Sequence, residues 1–337
     1  MASGSKKAST KAKENRAEGG RSSKAARKLP KWREPQLATL VDTAPEGGQW
    51  LSEMKYDGYR ALIAIGDGTA RVYTRGGKDW TDRFAQIAAA AAELPTSGTL
   101  MDGEIVAFNS NGRTDFSSLQ KSLSSGGDMS CFVFDLLEED GKDLAGEPLT
   151  ERKRRLKKLL KSKNGPLLYS EHVEGDADKV LQELCSAGHE GIIAKRDDRY
   201  RSGRGKSWLK VKCSKRQELV IGGYSLSDKP ARPFASLLLG AYEGDELIYR
   251  GRVGTGFDED TMDKLAKLLE RRARKTSPFA EVPANIARSV RYVTPDLVAE
   301  IEFTEFTAGG SVRHGVYKGL REDKEAKNVV LEKPRGG

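Results

Sequence analysis

Lys55-Tyr56-Asp57-Gly58-Tyr59-Arg60 is the stretch on which the reading of this chain turns. It packs a lysine, a carboxylate, a glycine and an arginine into six positions, with Glu53 two residues before the lysine. That grouping suits a lysine that attacks phosphorus. A lysine has a reference pKa of about 10.4, so only on the order of one in a thousand is neutral near pH 7.4. Burial or neighbouring cations lower that pKa and activate the amine. Alone, the six residues also read as an ordinary hairpin turn, because Asp-Gly is a common turn pair and flanking Lys and Arg are usually solvated.

Partners further along the chain decide between the two. Residues 99–108, TLMDGEIVAF, read as a strand centred on Glu104. Residues 131–137, CFVFDLL, place Phe134 beside Asp135. Residues 189–196, HEGIIAKR, bring Glu190 before an apolar strand and Lys195 after it. In residues 207–213, SWLKVKC, Lys210 and Lys212 fall on one face of a strand and Leu209 and Val211 on the other. Attack on an α-phosphate builds negative charge on its oxygens and on the departing pyrophosphate, which lysines and a divalent cation offset. Mg²⁺ prefers a few carboxylates plus water and phosphate oxygens, and Glu104 and Glu190 are the candidates. Phe134 can stack on a purine. Singly, each has a plainer reading: an exposed strand glutamate, lysines on a solvated edge strand, a core phenylalanine. In this order they form a set that points to nucleotidyl transfer.

These segments resemble the motifs of the covalent nucleotidyltransferases, which are ATP-dependent DNA ligases, RNA ligases and mRNA capping enzymes. KYDGYR looks like motif I, LMDGEIV motif III, FVFDLL motif IIIa, EGIIAKR motif IV and WLKVK motif V. TRGGKDWT at 74–81 resembles the segment that follows motif I in DNA ligases. GRVGTGF at 251–257 and HGVYKGLREDK at 314–324 draw the likeness toward the ligase module of bacterial ligase D proteins, which serve non-homologous end joining. The resemblance implies that Lys55 forms a lysyl-AMP intermediate and that Glu53 recognises the adenine amino group. Arg60 and Arg75 would hold the ribose or the nick 5′-phosphate. Glu104 and Glu190 would work with metal and ribose, Phe134 would stack on adenine, and Lys210 and Lys212 would contact the α-phosphate. Lys195 would touch triphosphate or DNA. Arg321, in an RxDK-like segment ending at Lys324, would orient the leaving pyrophosphate; that segment otherwise reads as a solvated tail. The implied cofactors are ATP and Mg²⁺ or Mn²⁺. The implied partners are nicked or broken double-stranded DNA and a bacterial Ku end-binding protein, with the enzyme a monomer in the cytoplasm near the nucleoid.

The chain has 337 residues, enough for one large or two medium domains, with 32% charged and 37% hydrophobic residues. No apolar run is long enough to cross a membrane, and no secretory segment follows Met1. Cysteines at 131, 185 and 213 show no CxxC spacing, Cys131 reads as a core thiol, and a reducing cytosol fits. Three histidines give little support to a His-based metal hydrolase. The net charge of +9 is concentrated at the start: residues 1–33 hold eleven Lys and Arg against Glu14 and Glu18, leaving 47 basic and 47 acidic residues beyond. That arm is expected to be disordered, and either adds salt-sensitive DNA affinity or serves as a solubilising tail.

The expected fold class is α+β. A disordered tail (1–33) precedes an adenylyltransferase domain of antiparallel sheets with flanking helices (34–215). An OB-fold β-barrel domain (216–331) and a flexible end (332–337) follow. Helices are expected over 82–94, over ERKRRLKKLLK with Thr150 as cap and its charges solvated, over 176–187 ended by Gly188, and over 258–274. Short strands with Gly-rich turns after Lys215 suit the barrel. RNA capping or RNA ligation, and a non-catalytic DNA-binding protein on the same fold, stand as alternatives. The residues before Pro35 are too short and polar to form the N-terminal subdomain of an NAD-dependent ligase.

Overall fold

The computed structural model describes residues 1, 27–47, 50–161, 165–229, 232–287, 289–307 and 309–332. Its first half is built from two sheets. One has strands in the order Gln36–Leu40, Gly203–Lys212, Gly191–Arg196, Trp50–Met54 and His172–Glu174. The other runs Thr69–Thr74, Tyr59–Gly66, Thr99–Val106, Ser130–Glu139, Lys142–Asp143, with Leu167–Tyr169 beside Ser130–Glu139. Pairing is antiparallel as expected except at Gln36–Leu40 with Gly203–Lys212 and at Ser130–Glu139 with Leu167–Tyr169, which run parallel. Leu62, Leu100, Phe134 and Leu137 of the second sheet meet Trp208 of the first. The outer face of the second sheet is covered by helix Ala85–Ala92, whose Ile87 and Ala91 are buried with Phe84 and Leu94.

Helix Leu149–Leu160 departs from expectation. Its N-cap is Pro148, and Thr150 lies inside it with its hydroxyl on Asp197. Its charges are not all solvated, because Arg152 and Lys153 are buried at 0% and 1% exposure. The reason is helical spacing: both lie three or four residues before the buried Leu156 and share its inward face. Helix Ala177–Ser186 starts as expected, with Asp176 accepting from the N–H groups of Asp178 and Lys179.

The second half is a six-stranded sheet in the order Glu246–Val253, Ser236–Glu243, Lys215–Ser225, Val290–Phe303, Ala273–Arg274, with Val316–Leu320 also on Val290–Phe303. Helix Glu259–Glu270 packs Leu265 and Leu269 into its core, and bulges at Ile221/Gly223 and Leu239/Gly240 bend the strands. This is the expected OB-type domain, although among the described residues its hydrogen-bonded path stays open rather than closing into a barrel.

The N-terminal boundary needs correction. The N-terminal arm was to reach residue 33, yet Arg27 N–H donates to Ser97 Oγ at 2.8 Å, its carbonyl accepts from Asp67 N–H at 2.8 Å, and Arg33 pairs with Asp143. Residues 2–26, and the DNA-binding reading of the arm, lie outside the described residues. Cys185 and Cys213, which show no CxxC spacing, are paired in a disulfide, while Cys131 is a free, buried core thiol as expected. No described helix is long and apolar enough to cross a membrane.

Candidate active site

Residues 55–58 are the crossover between the two sheets and not a hairpin turn. Lys55 N–H donates to Gly191 carbonyl at 2.9 Å as the chain leaves Trp50–Met54, and Tyr59 opens a strand of the other sheet. Gly58 is required by close approach: a Cβ there would come within 2.1 Å of Ile105 carbonyl oxygen, on the strand that carries Glu104. Gly191 has φ +143°, and its Cβ would lie 2.0 Å from Val211 carbonyl oxygen, beside Lys210 and Lys212.

These constraints bring every predicted site residue to one cavity of about 180 Å³. Lys55 Nζ lies 2.5 Å from Glu190 Oε1. Burial pushes the Lys55 amine down, but Glu190, Asp57 and Glu104 outweigh it and hold the pKa above the usual lysine value. The expected depression of the Lys55 pKa is therefore reversed in this arrangement, because carboxylates and not cations are its nearest charges. Burial raises Glu104 to about 7 despite Arg60, Lys55 and Arg321. Burial would raise Glu190 as well, but Lys55, Lys212 and Arg216 pull it below the usual range.

One end of the cavity is formed by Glu53, Phe134 and Lys195. Lys195 is 2% exposed, its Nζ 2.9 Å from Glu53 Oε2 and over the rings of Phe134 and Trp208 at 4.2 and 4.3 Å. Burial brings its pKa down to about 8. Lys195 is thus held among Glu53, Phe134 and Trp208. The Arg60 guanidinium makes a bidentate pair with Asp102 at 2.5 and 2.7 Å and covers Phe134 at 4.6 Å.

The other end is basic. Lys210 Nζ pairs with Glu332 Oε2 at 2.6 Å, Arg204 reaches Glu332 Oε1 at 3.2 Å, and burial takes Lys210 down to about 8. Lys212 Nζ donates to Arg216 carbonyl at 2.8 Å. Arg75 lines both this cavity and an adjoining groove of about 620 Å³. The Arg321–Lys324 segment is no solvated tail: Arg321 binds Asp323 and Glu300, Lys324 binds Glu218 at 2.7 Å, and the Arg321 guanidinium lies 4.8 Å over Phe116 of the first domain. Sequence reasoning missed Lys153, Arg204, Arg216 and Glu332. Arg216 bridges Asp57 and Glu302, tying the motif I crossover to the second domain.

A divalent cation fits the acidic side. Glu190 Oε2 is buried without a hydrogen-bond partner, and Glu104 beside it is strained toward protonation by burial. Among the described residues no set of three or more metal-ligating side chains converges, so the donor set is that of a hard ion completed by phosphate and water.

The chain is similar to known proteins in sequence and fold. The family described as ATP dependent DNA ligase domain matches residues 35–212, and the ATP dependent DNA ligase C terminal region matches residues 230–324. The multifunctional non-homologous end joining protein LigD of Pseudomonas aeruginosa is 41% identical over 316 residues, which cover 91% of this chain and 38% of that protein. Its Mycobacterium tuberculosis counterpart is 36% identical over 305 residues, 88% of this chain and 40% of that protein. The chain thus spans about two fifths of these relatives. A solved mycobacterial DNA ligase D complexed with ATP and MES is 34% identical, covering 88% of this chain and 98% of that one, with a TM-score of 0.65. With the lysine, carboxylates and basic wall gathered in one cavity, and both family regions matched in order, the chain belongs to the ATP-dependent DNA ligases.

Proposed function

We propose that this chain seals 5′-phosphate/3′-hydroxyl nicks or breaks in double-stranded DNA through a lysyl-AMP intermediate. The observation that carries the reading is Lys55 Nζ poised on Glu190 within the cavity shared by Lys210, Lys212, Glu104 and Phe134. Neutral Lys55 Nζ attacks the α-phosphorus of ATP; an N–P bond forms and the bond to pyrophosphate breaks, with the amine proton leaving to solvent or base. A 5′-phosphate oxygen then displaces Lys55, giving adenylated DNA. A 3′-hydroxyl displaces AMP and closes the strand. Covalent catalysis divides one hard condensation into easier steps.

Each side chain has a place in this scheme. Lys210 and Lys212 neutralise the α-phosphate, and Arg75 and Arg321 face the leaving pyrophosphate and the DNA. Phe134 and Glu53 take the adenine, with Arg60 fixing the Phe134 wall through Asp102. Glu104 and Glu190 would hold Mg²⁺ or Mn²⁺, which when bound supplies positive charge at the phosphate and competes with Lys55 for Glu190. The chain's roles in end joining, its recruitment by a Ku-type end-binding protein, its action as a monomer and its residence beside the nucleoid are part of this proposal, supported by the likeness to LigD.

The test is a gel assay with α-labelled ATP and divalent metal. A labelled protein band that is lost in Lys55→Ala and discharged by nicked DNA supports the reading. Absence of label, once preloaded AMP has been discharged and pyrophosphate removed, overturns it.

A further inference from the structure

Helix Leu149–Leu160 places behind the cavity, against the lining residue Glu53, a lysine that none of the sequence motifs contains. Lys153 is buried, and its Nζ donates to Glu53 Oε1 at 2.7 Å and to Ser170 carbonyl at 2.9 Å. The other Glu53 oxygen has Lys195 Nζ at 2.9 Å and accepts from Ser170 Oγ at 3.0 Å. Two ammonium groups therefore share one carboxylate, in a region closed by the Phe134, Trp208 and Tyr169 rings.

Stability alone does not call for this. Replacing a buried ion pair by apolar side chains of similar size is often neutral or stabilising. Lys195 and Ser170 already supply partners for Glu53. What Lys153 adds is orientation. With Oε1 anchored and the carboxylate kept ionised, the remaining acceptor capacity of Glu53, which lines the cavity, is presented as a fixed negative edge.

We propose that Lys153 is a positioning residue for nucleobase selection, holding Glu53 as an ionised acceptor for the exocyclic amine of a 6-aminopurine. The proposal rests on the lysyl-adenylate reading above. A 6-aminopurine donates to that edge. A 6-oxopurine presents an oxygen to it and is rejected, because a buried acceptor facing an acceptor leaves both unpaired. Without Lys153, Glu53 turns toward Lys195 or takes up a proton, and the two purines become more nearly equal.

The experiment compares the full chain with Lys153→Met and Lys153→Arg, using ATP and inosine triphosphate. Lysyl-nucleotide formation gives KM and the saturated rate separately. Intrinsic tryptophan fluorescence in metal-free buffer gives equilibrium binding without chemistry. Lys153→Met is expected to raise KM for ATP and cut the ATP-over-inosine preference by roughly tenfold or more, the scale of a lost polar contact in base selection, while the saturated rate changes about twofold. Lys153→Arg should restore part of the preference. An unchanged preference in Lys153→Met, with only rate or thermal stability lowered, overturns the proposal. If Lys153→Met does not fold, Lys153→Gln, which keeps an N–H donor but no charge, takes its place, and an unchanged preference there overturns it equally. A wild-type chain that forms no covalent adduct defeats the ligase reading, and the fluorescence comparison then still decides whether Lys153 selects the base.

Discussion

Lys55 is stored as an ammonium on Glu190, and that fixes how its chemistry should respond to pH. Glu190 raises the Lys55 pKa while burial lowers it, so Glu190→Gln removes the largest raising influence. The pH–rate profile of the covalent step in Glu190→Gln should therefore shift toward lower pH even as its maximal rate falls; a midpoint that stays put or rises would count against the assignment. Lys55→Arg should form no adduct, since guanidinium stays protonated. Glu104 gives a stability prediction. Its folded pKa of about 7 lies above the unfolded value of 4.5, so between those values the native state holds a proton that the unfolded state releases. Stability is then lost as pH rises through this window. Glu104→Gln cannot titrate, and its melting temperature should gain on wild type between pH 5 and pH 8 in metal-free buffer. A constant difference would refute the shift. That Lys55, Glu104, Glu190, Lys210 and Lys212 gather in one cavity was legible in sequence because ordered motifs name them. The charge on Lys55 was not, because it depends on which carboxylate lies nearest.

At the scale of elements, the crossover and the strand after Glu190 depend on two glycines with no room for a side chain. Gly191→Ala would force a Cβ against Val211 carbonyl at a positive φ, and should cost about 2 kcal/mol or more of unfolding free energy in a denaturant titration. Asp176→Ala, which removes a cap from an exposed helix end, should cost only about 1 kcal/mol. Strand alternation and the helix at Ala177–Ser186 could be read from periodicity and capping. Helix Leu149–Leu160 misled because Arg and Lys usually mark a solvated face. The signal that would have found Lys153 was its position three residues before Leu156, together with a buried acid, Glu53, waiting for it 100 residues away. Long-range pairing of this kind has no local signature, and the open path of the second domain's sheet was hidden for the same reason.

At the scale of the molecule, the second domain reaches the first through Arg321 over Phe116, Arg216 between Asp57 and Glu302, and the segment ending in Glu332. Val329 carbonyl accepts from Tyr242 N–H, and Gln217 bonds to Val330 and Glu332, so this last segment is docked along the second domain. Its carboxylate occupies Lys210 and Arg204, the cations a nucleotide phosphate would use. Glu332→Ala should lower KM for ATP roughly two- to five-fold, the range of a partly exposed ion pair. An unchanged KM in initial-rate measurements would show that the contact does not compete.

The position of Glu332 also bears on how the protein is handled in the laboratory. An affinity tag or fusion partner joined shortly after this residue would hang from a side chain already inside the nucleotide cavity. Versions of the enzyme that differ only in a tag placed there should not be treated as interchangeable in nucleotide assays.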